Sequence, residues 1–385
     1  MTTTLPPFIR ALREKPVHSP EYASRYGLDI LSPDAHAFLS TSENPSASTF
    51  RLNQTHASGI VFQDWETASH SHPDAFARIG HQLRSHDALE SHHLNHVQNG
   101  LFVFIPSHTR ASSVSIPPLP FTFTHIFVHS ESHSACTLLF TPSPHVPAHS
   151  TVIEVSSQPD SSLSILSLSP ESTPGFRLAV YRATVSDRSS VNWFWLESGA
   201  SAARLDVSAH LLGSHSSSHN VGLSAGLASQ SLDIHQAAYH VGPSSHSKLV
   251  ARGILSDSSK CVYRGLLNMV PAAKDGLGDQ RADYLLISPK AEVDPVPALE
   301  IEGADVRCAQ AATVGRLDKE KLFYLTSRGL PESAARALYI QGFLEHVLGL
   351  FPSNESLSII RQRLSHALDV PFDSSPVAGM VEESA

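Results

Sequence analysis

Cysteine is scarce in this sequence, which limits the kinds of site that it can build. The 385 residues include only Cys136, Cys261 and Cys308, which lie far apart and form no Cys-x-x-Cys pair. This spacing excludes a disulfide framework and a self-contained cysteine cluster site, and it indicates a reducing compartment. Cys136 and Cys261 each fall within a strand pattern, where an isolated cysteine is usually an inert small hydrophobic residue.

Long apolar runs and targeting segments are also absent. No stretch approaches the roughly 18 uninterrupted apolar residues of a membrane span. Residues 1–10 lack the basic and then apolar layout of a signal peptide. We therefore expect a cytoplasmic protein with no membrane partner.

Basic charge and the common catalytic motifs are missing as well. The sequence has 27 Lys and Arg residues against 36 Asp and Glu residues, a net charge of −9. It has no basic block that could neutralise a row of phosphates, so nucleic acid is not an expected partner. There is no GxxxxGKS/T or HExxH motif, and no GxGxxG before a helix. Any ATP-driven work must therefore be done by another subunit.

Histidine, by contrast, is abundant. The 24 histidines are spread along the whole chain, which is more typical of a compositional bias than of a metal-binding tract. His92 and His96 are four residues apart on a predicted helix, but no cysteine or acid with ligand spacing supports a metal site there. For His235, His240 and His246, which lie on or beside strand runs, we expect inward-facing, hydrogen-bonded structural roles. No metal site is predicted.

The first hundred residues carry mainly helical signals. Short helices are predicted at 8–12 and from Pro20 to near Gly27, and Pro73 can begin another. From Asp87 to Gln98 apolar residues recur at spacings of three and four, and Gly100 follows where a helix C-cap is needed. We predict a small helical N-terminal domain over residues 1–100.

After Gly100 the pattern changes to short runs with an apolar residue at every second position. About a dozen such strands, separated by Gly, Ser, Pro and Asp, fill residues 101–315. The Asn-Gly and Asp-Gly turns of β-hairpins are scarce, and Asp275-Gly276 is the exception. Short strands sustained over this length suit a β-solenoid, but no strict repeat is visible. The residues alone leave a β-solenoid and a large β-sandwich open.

Beyond Asp318 the helical period returns. Gly329 can close a short helix, and Pro331 can open the next one at its first turn. Two apolar stripes then predict a helical hairpin: Ala337, Ile340, Leu344, Val347 and Phe351, followed by Leu357, Ile360, Leu364 and Leu368. We predict a helical C-terminal domain over residues 316–370 and a disordered tail over residues 371–385.

The stretch from Leu299 to Gly329 is the most distinctive part of the chain. It contains Leu-Glu-Ile at 299–301, Asp-Val-Arg-Cys at 305–308, Ala-Thr-Val-Gly at 312–315 and Phe-Tyr-Leu-Thr-Ser-Arg-Gly at 323–329. These segments resemble the C-terminal signature of the SufB/SufD family of iron–sulfur cluster assembly proteins. The resemblance covers about residues 85–350. Because the chain is short and lacks the cysteine-rich segment usual in SufB, it is nearer to SufD.

The resemblance implies both a fold and a function. The implied fold is a right-handed parallel β-helix between N-terminal and C-terminal helical regions, which also accounts for the scarcity of hairpin turns. The implied function is that of a non-enzymatic scaffold subunit in a SufB–SufC–SufD complex, which builds clusters and transfers them to apoproteins, with SufC as the ABC-type ATPase. No tightly bound cofactor is implied, only a transient iron–sulfur cluster at the interface with the SufB-like partner.

The same resemblance assigns two surfaces. Cys308, Gln310 and Thr313 would face the SufB-like partner, with Cys308 as the candidate cluster site. The SufC-like ATPase would dock on a surface drawn from residues 318–350, at Phe323, Tyr324, Ser327, Arg328 and Gly329.

The chain departs from the family at one position of the first surface. Family members commonly carry Cys-x-His there, and this chain has Cys308-Ala309-Gln310. An amide can form hydrogen bonds, but it does not take up a proton near neutral pH or bind iron well. Either Cys308 acts alone, or the subunit is mainly structural, or another histidine substitutes.

Two other functions remain open from the sequence. A carbohydrate-active enzyme on a β-solenoid would present paired carboxylates on one face, and the β-region has no compelling Asp/Glu cluster. A homodimeric SufD-like structural protein without cluster chemistry is the second alternative, and a homodimer is also a candidate state of the isolated chain.

Overall fold

A computed structural model describes residues 50–372, except 84–86, 118, 120, 142–148 and 171–172. The helices predicted at 8–12 and from Pro20 to near Gly27 lie outside the described residues. Residues 373–385 of the predicted tail lie outside them as well.

The described chain contains eighteen strands and six helices. In chain order they are β1 (Asn53–Thr55), β2 (Val61–Asp64), α1 (Trp65–Ser71), α2 (Pro73–Phe76), α3 (Ala88–His96), β3 (Leu101–Ile105), β4 (Arg110–Ser115), β5 (Phe123–Ser130), β6 (Ala135–Phe140), β7 (His149–Ser157), β8 (Ser162–Leu168), β9 (Thr173–Val185), β10 (Ser190–Ser198), β11 (Ala200–Leu211), β12 (Ser217–Gly226), β13 (Ser231–His240), β14 (His246–Leu255), β15 (Lys260–Met269), β16 (Gly276–Leu286), β17 (Glu292–Ile301), β18 (Val306–Arg316), α4 (Lys319–Ser327), α5 (Glu332–Leu348) and α6 (Asn354–Leu368).

The strands from β3 onward wind into a parallel β-solenoid. Odd-numbered strands form one sheet and even-numbered strands form the other, so each rung consists of one odd strand and the even strand that follows it. Strands of successive rungs pair in parallel, whereas β1 and β2 extend the odd sheet in antiparallel orientation. Apolar side chains from both sheets fill the space between them. The predicted parallel β-solenoid is thereby confirmed.

Seven passages from an odd strand to the next even strand turn at one residue in the left-handed region, and the last described passage, from β17 to β18, has no such residue. Seven residues with φ between 52° and 62° hold this position: His108, His133, Asp160, Arg188, His215, Ser244 and Asp275. The residue that follows is small and buried: Thr109, Ser134, Ser161, Ser189, Ser216, Ser245 and Gly276. Successive corners are hydrogen-bonded, as from Asp275 N–H to the Asp305 carbonyl at 2.7 Å. Asp275-Gly276 is therefore a solenoid corner and not a hairpin turn.

The helices cover the outer faces of the two sheets. Helices α1 to α3 pack on the outer face of the odd sheet with a separate apolar cluster. Buried ion pairs fix α3 there, because Glu90 binds Arg182 at 2.7 Å and the N-cap Asp87 binds Arg204 at 2.8 Å. Gly100 is not the C-cap of α3, whose cap is Val97. A Cβ atom at Gly100 would collide with the Trp65 ring and a strand carbonyl.

Helices α5 and α6 form the predicted hairpin on the outer face of the even sheet. The residues of the α5 stripe, from Ala337 to Phe351, are buried against this sheet. Pro331 is the N-cap of α5, one position before its predicted place in the first turn. Gly329 follows the end of α4 with φ of 96°, a conformation that favours glycine.

Candidate functional site

The last rung, β17 with β18, leaves the solenoid open at one end. On β16, Gly278, Gln280 and Ala282 are buried inside the solenoid. Of their register partners on β18, Cys308 is half-buried, whereas Gln310 and Ala312 are exposed. Apolar residues are left in solvent here: Leu299 is 38% exposed, Ile301 44% and Val314 44%. We call this surface the open end.

The two strands at the open end present different free edges. Alternate residues of a strand bond to opposite sides. The N–H groups of Glu292 and Glu302 donate to the β15 side, so odd-numbered residues of β17 face the free edge. Pro295 and Pro297 are among them and have no N–H, which blocks strand addition.

The β18 edge carries no such block. Leu317 N–H donates to the Leu286 carbonyl, so the even-numbered residues of β18 face the free edge. None of residues 306–316 is proline. Of the two edges, β18 is therefore the one that can accept another strand.

Cys308 lies inside the open end. Its Sγ is 3.4 Å from Sδ of Met269, a fully buried residue of the rung below. Burial raises the pKa of the Cys308 thiol above its ordinary value, so the isolated chain holds it as a neutral thiol at pH 7. Burial also raises the pKa values of the Cys136 and Cys261 thiols, to about 12, which fits the inert roles expected for them.

The other two residues of the predicted partner surface also lie on β18. Gln310 shares the inner face with Cys308 because the two are separated by two positions. Thr313 lies on the outer face, in register with Asp283. Asp283 accepts hydrogen bonds from Arg281 at 2.8 Å and Arg252 at 3.3 Å. The three residues thus lie on one exposed edge strand. The side chains of Cys308 and Gln310 face the interior of the solenoid at the open end.

One histidine in the stack below Cys308 is already engaged, and His219 and His246 line a groove together with the cysteine. His240 is in register with Met269, and its two ring nitrogens are hydrogen-bonded to Ser245 at 2.8 Å and Ser247 at 2.7 Å. Burial lowers the pKa of His240 to about 4. The inward-facing structural role expected for this residue is confirmed.

The inward-facing part of that expectation is wrong for His235 and His246. His235 lies on the outer face of the odd sheet, where it is 3.0 Å from Asp206 Oδ1, and His246 is exposed. Within the described residues, no group of three or more His, Cys, Asp or Glu side chains is arranged to hold a metal ion. The His92 and His96 rings lie 4.1 Å apart on α3 and belong to no such group.

The second predicted surface is an exposed helix. No residue of α4 is buried, and Phe323 and Tyr324 are 74% and 57% exposed. The Arg328 guanidinium lies 5.3 Å from the Tyr324 ring centre, and Ser327 Oγ donates to the Tyr324 carbonyl at 2.8 Å. Beside the helix is a cavity of about 470 Å³, lined by residues of β16, β18, α4 and the turn before β17.

Two buried carboxylates on the outer face of the odd sheet are engaged by arginine. Asp206 accepts from Arg182 at 2.7 Å, and Asp233 is paired with Arg264. These acids are not a free pair of the kind used in glycoside hydrolysis. Among the helices that the structure describes, none has the length and apolar character needed to cross a lipid bilayer.

Comparisons with known proteins agree with this architecture. The family model described as SUF system FeS cluster assembly, SufBD core domain, matches residues 113–343. The iron–sulfur cluster assembly protein SufD of Bacillus subtilis is 24% identical over 356 residues, 88% of this chain and 81% of that protein. SufD of Escherichia coli is 33% identical over 145 residues, 38% of this chain and 34% of that protein. An iron–sulfur cluster assembly SufBD family protein of Mycobacterium tuberculosis is 24% identical over 213 residues, 55% of this chain and 25% of that protein. The chain therefore belongs to the SufB/SufD family of iron–sulfur cluster assembly proteins and is SufD-like.

Proposed function

We propose that this chain is a scaffold subunit that joins a SufB-like paralogue and a SufC-like ABC ATPase in a complex for iron–sulfur cluster assembly and transfer to apoproteins. The observation that carries the proposal is the open end of this family member, where the interior of the last rung and the proline-free edge of β18 are both uncovered. Monomeric soluble proteins rarely leave such an edge exposed, because it can pair with another chain. Its three cysteines are free, which fits the reducing cytoplasm.

The SufB-like partner docks on the open end. Its strand adds to the free edge of β18 and not to β17, where Pro295 and Pro297 lack N–H groups. This places Cys308, Gln310 and Thr313 in the interface. The cluster is transient cargo there, and Cys308 is the thiol of this chain that can ligate it after deprotonation.

The ATPase docks on α4 and the adjoining cavity. Exposed aromatic side chains and arginine are typical of interface centres, and this surface has Phe323, Tyr324 and Arg328 together, with Ser327 and Gly329 at the end of the helix. The chain itself is not a catalyst in this proposal. It has no P-loop motif, so the ATPase hydrolyses ATP.

Co-expression tests the proposal. An affinity-tagged chain, produced with its cognate paralogue and ATPase, should yield a ternary complex that survives size-exclusion chromatography. Failure to retain either protein would refute the proposal. A second copy closing the open end would instead give a homodimer with no partner bound, and light scattering on the isolated chain measures how far that occurs.

A further inference from the structure

Gln280 is a buried amide without a hydrogen-bond partner. It belongs to β16, one rung below the open end, and its side chain faces the interior with Ala282 and Tyr284. The residue is fully buried, and neither Nε2 nor Oε1 has a partner among the described residues. An unsatisfied buried polar group is costly, and side chains of this kind are normally paired.

Four interior polar side chains of the preceding rungs are linked by hydrogen bonds, although Trp193 Nε1 in an earlier rung also lacks a partner among the described residues. Trp195 Nε1 and Gln236 Nε2 both donate to Asn220 Oδ1 at 2.8 Å. Tyr263 donates its hydroxyl to Gln236 Oε1 at 2.8 Å. These four side chains form a hydrogen-bonded column through successive rungs towards the open end. Gln280 is the next interior polar residue, and the column does not reach it.

The surroundings of Gln280 are shaped to admit its amide. Gly265 lies opposite it, and a Cβ atom at that position would collide with Gln280 Nε2. Gln310 is the register partner of Gln280 in the last rung, about 4.8 Å away along the stack. The Gln310 side chain is exposed, and exposed side chains change rotamer within nanoseconds. Gln310 is therefore a movable cover between Gln280 and the solvent at the open end.

We infer that Gln280 and Gln310 form an amide site that receives a neutral polar side chain from the SufB-like partner. This inference rests on the proposed function. A primary amide offers a donor and an acceptor side by side, so the complementary group is another amide or a hydroxyl. The inner-face neighbours of the two glutamines are Gly278, Ala282, Cys308 and Ala312, none of which carries a counter-charge. A charged group would be desolvated there without compensation.

The test compares the substitution of an interior amide that lacks a hydrogen-bond partner with the substitution of one that has partners. In Gln280→Leu the amide that lacks a partner in the isolated chain is removed, whereas in Gln236→Leu a paired amide of the column is removed. We expect Gln280→Leu to keep or raise the melting temperature of the isolated chain and to weaken its affinity for the purified SufB-like paralogue by about 5- to 100-fold. Gln236→Leu should lower the melting temperature and leave the affinity of the folded fraction within about twofold.

The outcomes separate the inference from the proposed function. If the wild-type chain binds the paralogue and Gln280→Leu binds it equally well, the inference fails and the proposed function stands. If Gln280→Leu melts lower, as Gln236→Leu should, the amide is satisfied within the chain and the inference also fails. If the wild-type chain binds no paralogue, the proposed function fails, and the amide site inferred for that partner fails as well.

Discussion

The sulfur atoms of Cys308 and Met269 lie 3.4 Å apart across the last two rungs of the solenoid. Met269 is fully buried, so its thioether covers the inner side of the thiol while the outer side remains at the open end. The thiol also borders a groove lined by His219, His246 and Arg307. Burial raises the pKa of the Cys308 thiol. Ligation of iron by Cys308 therefore requires the metal itself or the partner to favour deprotonation.

Replacement of Cys308 by alanine should lower the cluster content of the ternary complex without preventing its assembly. The thiol is the only cysteine at the open end, and its removal leaves the β18 backbone edge intact. Iron and acid-labile sulfide per complex, measured after anaerobic reconstitution, check this expectation. Cys261→Ala is the matched control, because that thiol is sealed in the interior. Unchanged iron and sulfide in Cys308→Ala would show that Cys308 is inert.

Gln310→His should raise cluster loading, because a neutral imidazole can bind iron and an amide binds it poorly. The substituted ring would lie on the inner face of β18, two positions from Cys308. The measurement is iron per complex against the wild type, with Gln310→Asn as the control that keeps an amide. Equal loading of all three complexes would mean that this position does not limit cluster binding in this chain.

His240 makes the stability of the chain sensitive to acid. Burial lowers its pKa to about 4 from 6.5, so the unfolded chain binds a proton at this residue before the folded chain does. The free energy of unfolding is not reduced by this residue above pH 6.5. It falls by about 3 kcal/mol as the pH decreases towards 4. His240→Gln keeps a hydrogen-bonding side chain that does not titrate. Urea unfolding at pH 6.5 and 4.5 should therefore show a smaller loss of stability in the variant.

The control for this comparison is His246→Gln. His246 is exposed, so its substitution should leave the acid-dependent loss as large as in the wild type. An undiminished loss in His240→Gln would assign the acid sensitivity to other groups, such as the buried His93, whose pKa is lowered by burial and by His125.

The sequence predicted the parts of the fold in which periodicity and burial agree. The strands from β5 to β15 and the apolar stripe of α5 were found because their apolar residues recur at the expected spacing. Strand β4 was missed, since of its residues only Val114 is buried. The choice between solenoid and sandwich came from family resemblance and not from periodicity.

The repeat was invisible because it resides in backbone conformation. The left-handed corner residues are His, Asp, Arg and Ser, and the spacing between successive corners varies from 25 residues (His108 to His133) to 31 (Ser244 to Asp275). The sequence also could not predict that the Gln280 amide lacks a hydrogen-bond partner, because the hydrogen bonds between interior side chains depend on which strands become neighbours. Of the candidate site, the sequence placed Cys308 and Gln310 at the end of the β-region. It did not show that Pro295 and Pro297 block the neighbouring edge.

The corner conformation gives a direct stability prediction. Ser244 has φ of 53°, which is unfavourable for a residue with a Cβ atom, and its N–H donates to the Lys274 carbonyl at 2.7 Å. Ser244→Gly keeps that hydrogen bond and should stabilise the chain by up to about 1 kcal/mol. Ser245→Ala, one residue later, removes the hydroxyl bonded to His240 and should destabilise it by about 1–2 kcal/mol. Chemical unfolding of both variants checks the opposite signs, and destabilisation by Ser244→Gly would contradict the strain argument.

Substitution of the two exposed aromatic residues of α4 should show whether the ATPase and the SufB-like paralogue bind to different surfaces. Phe323 and Tyr324 bury little area in the isolated chain, so the double variant Phe323→Ala/Tyr324→Ala should fold with an unchanged melting temperature. Removal of aromatic side chains from an interface centre typically weakens binding by about tenfold or more. We therefore expect the variant to lose the ATPase in co-purification while it retains the SufB-like paralogue at the open end.

Leu212→Ala is the matched control, because Leu212 is also exposed and lies at a solenoid corner between β11 and β12, away from α4. Retention of the ATPase by the double variant would remove α4 from the docking surface, and simultaneous loss of both partners would show that the two surfaces are coupled.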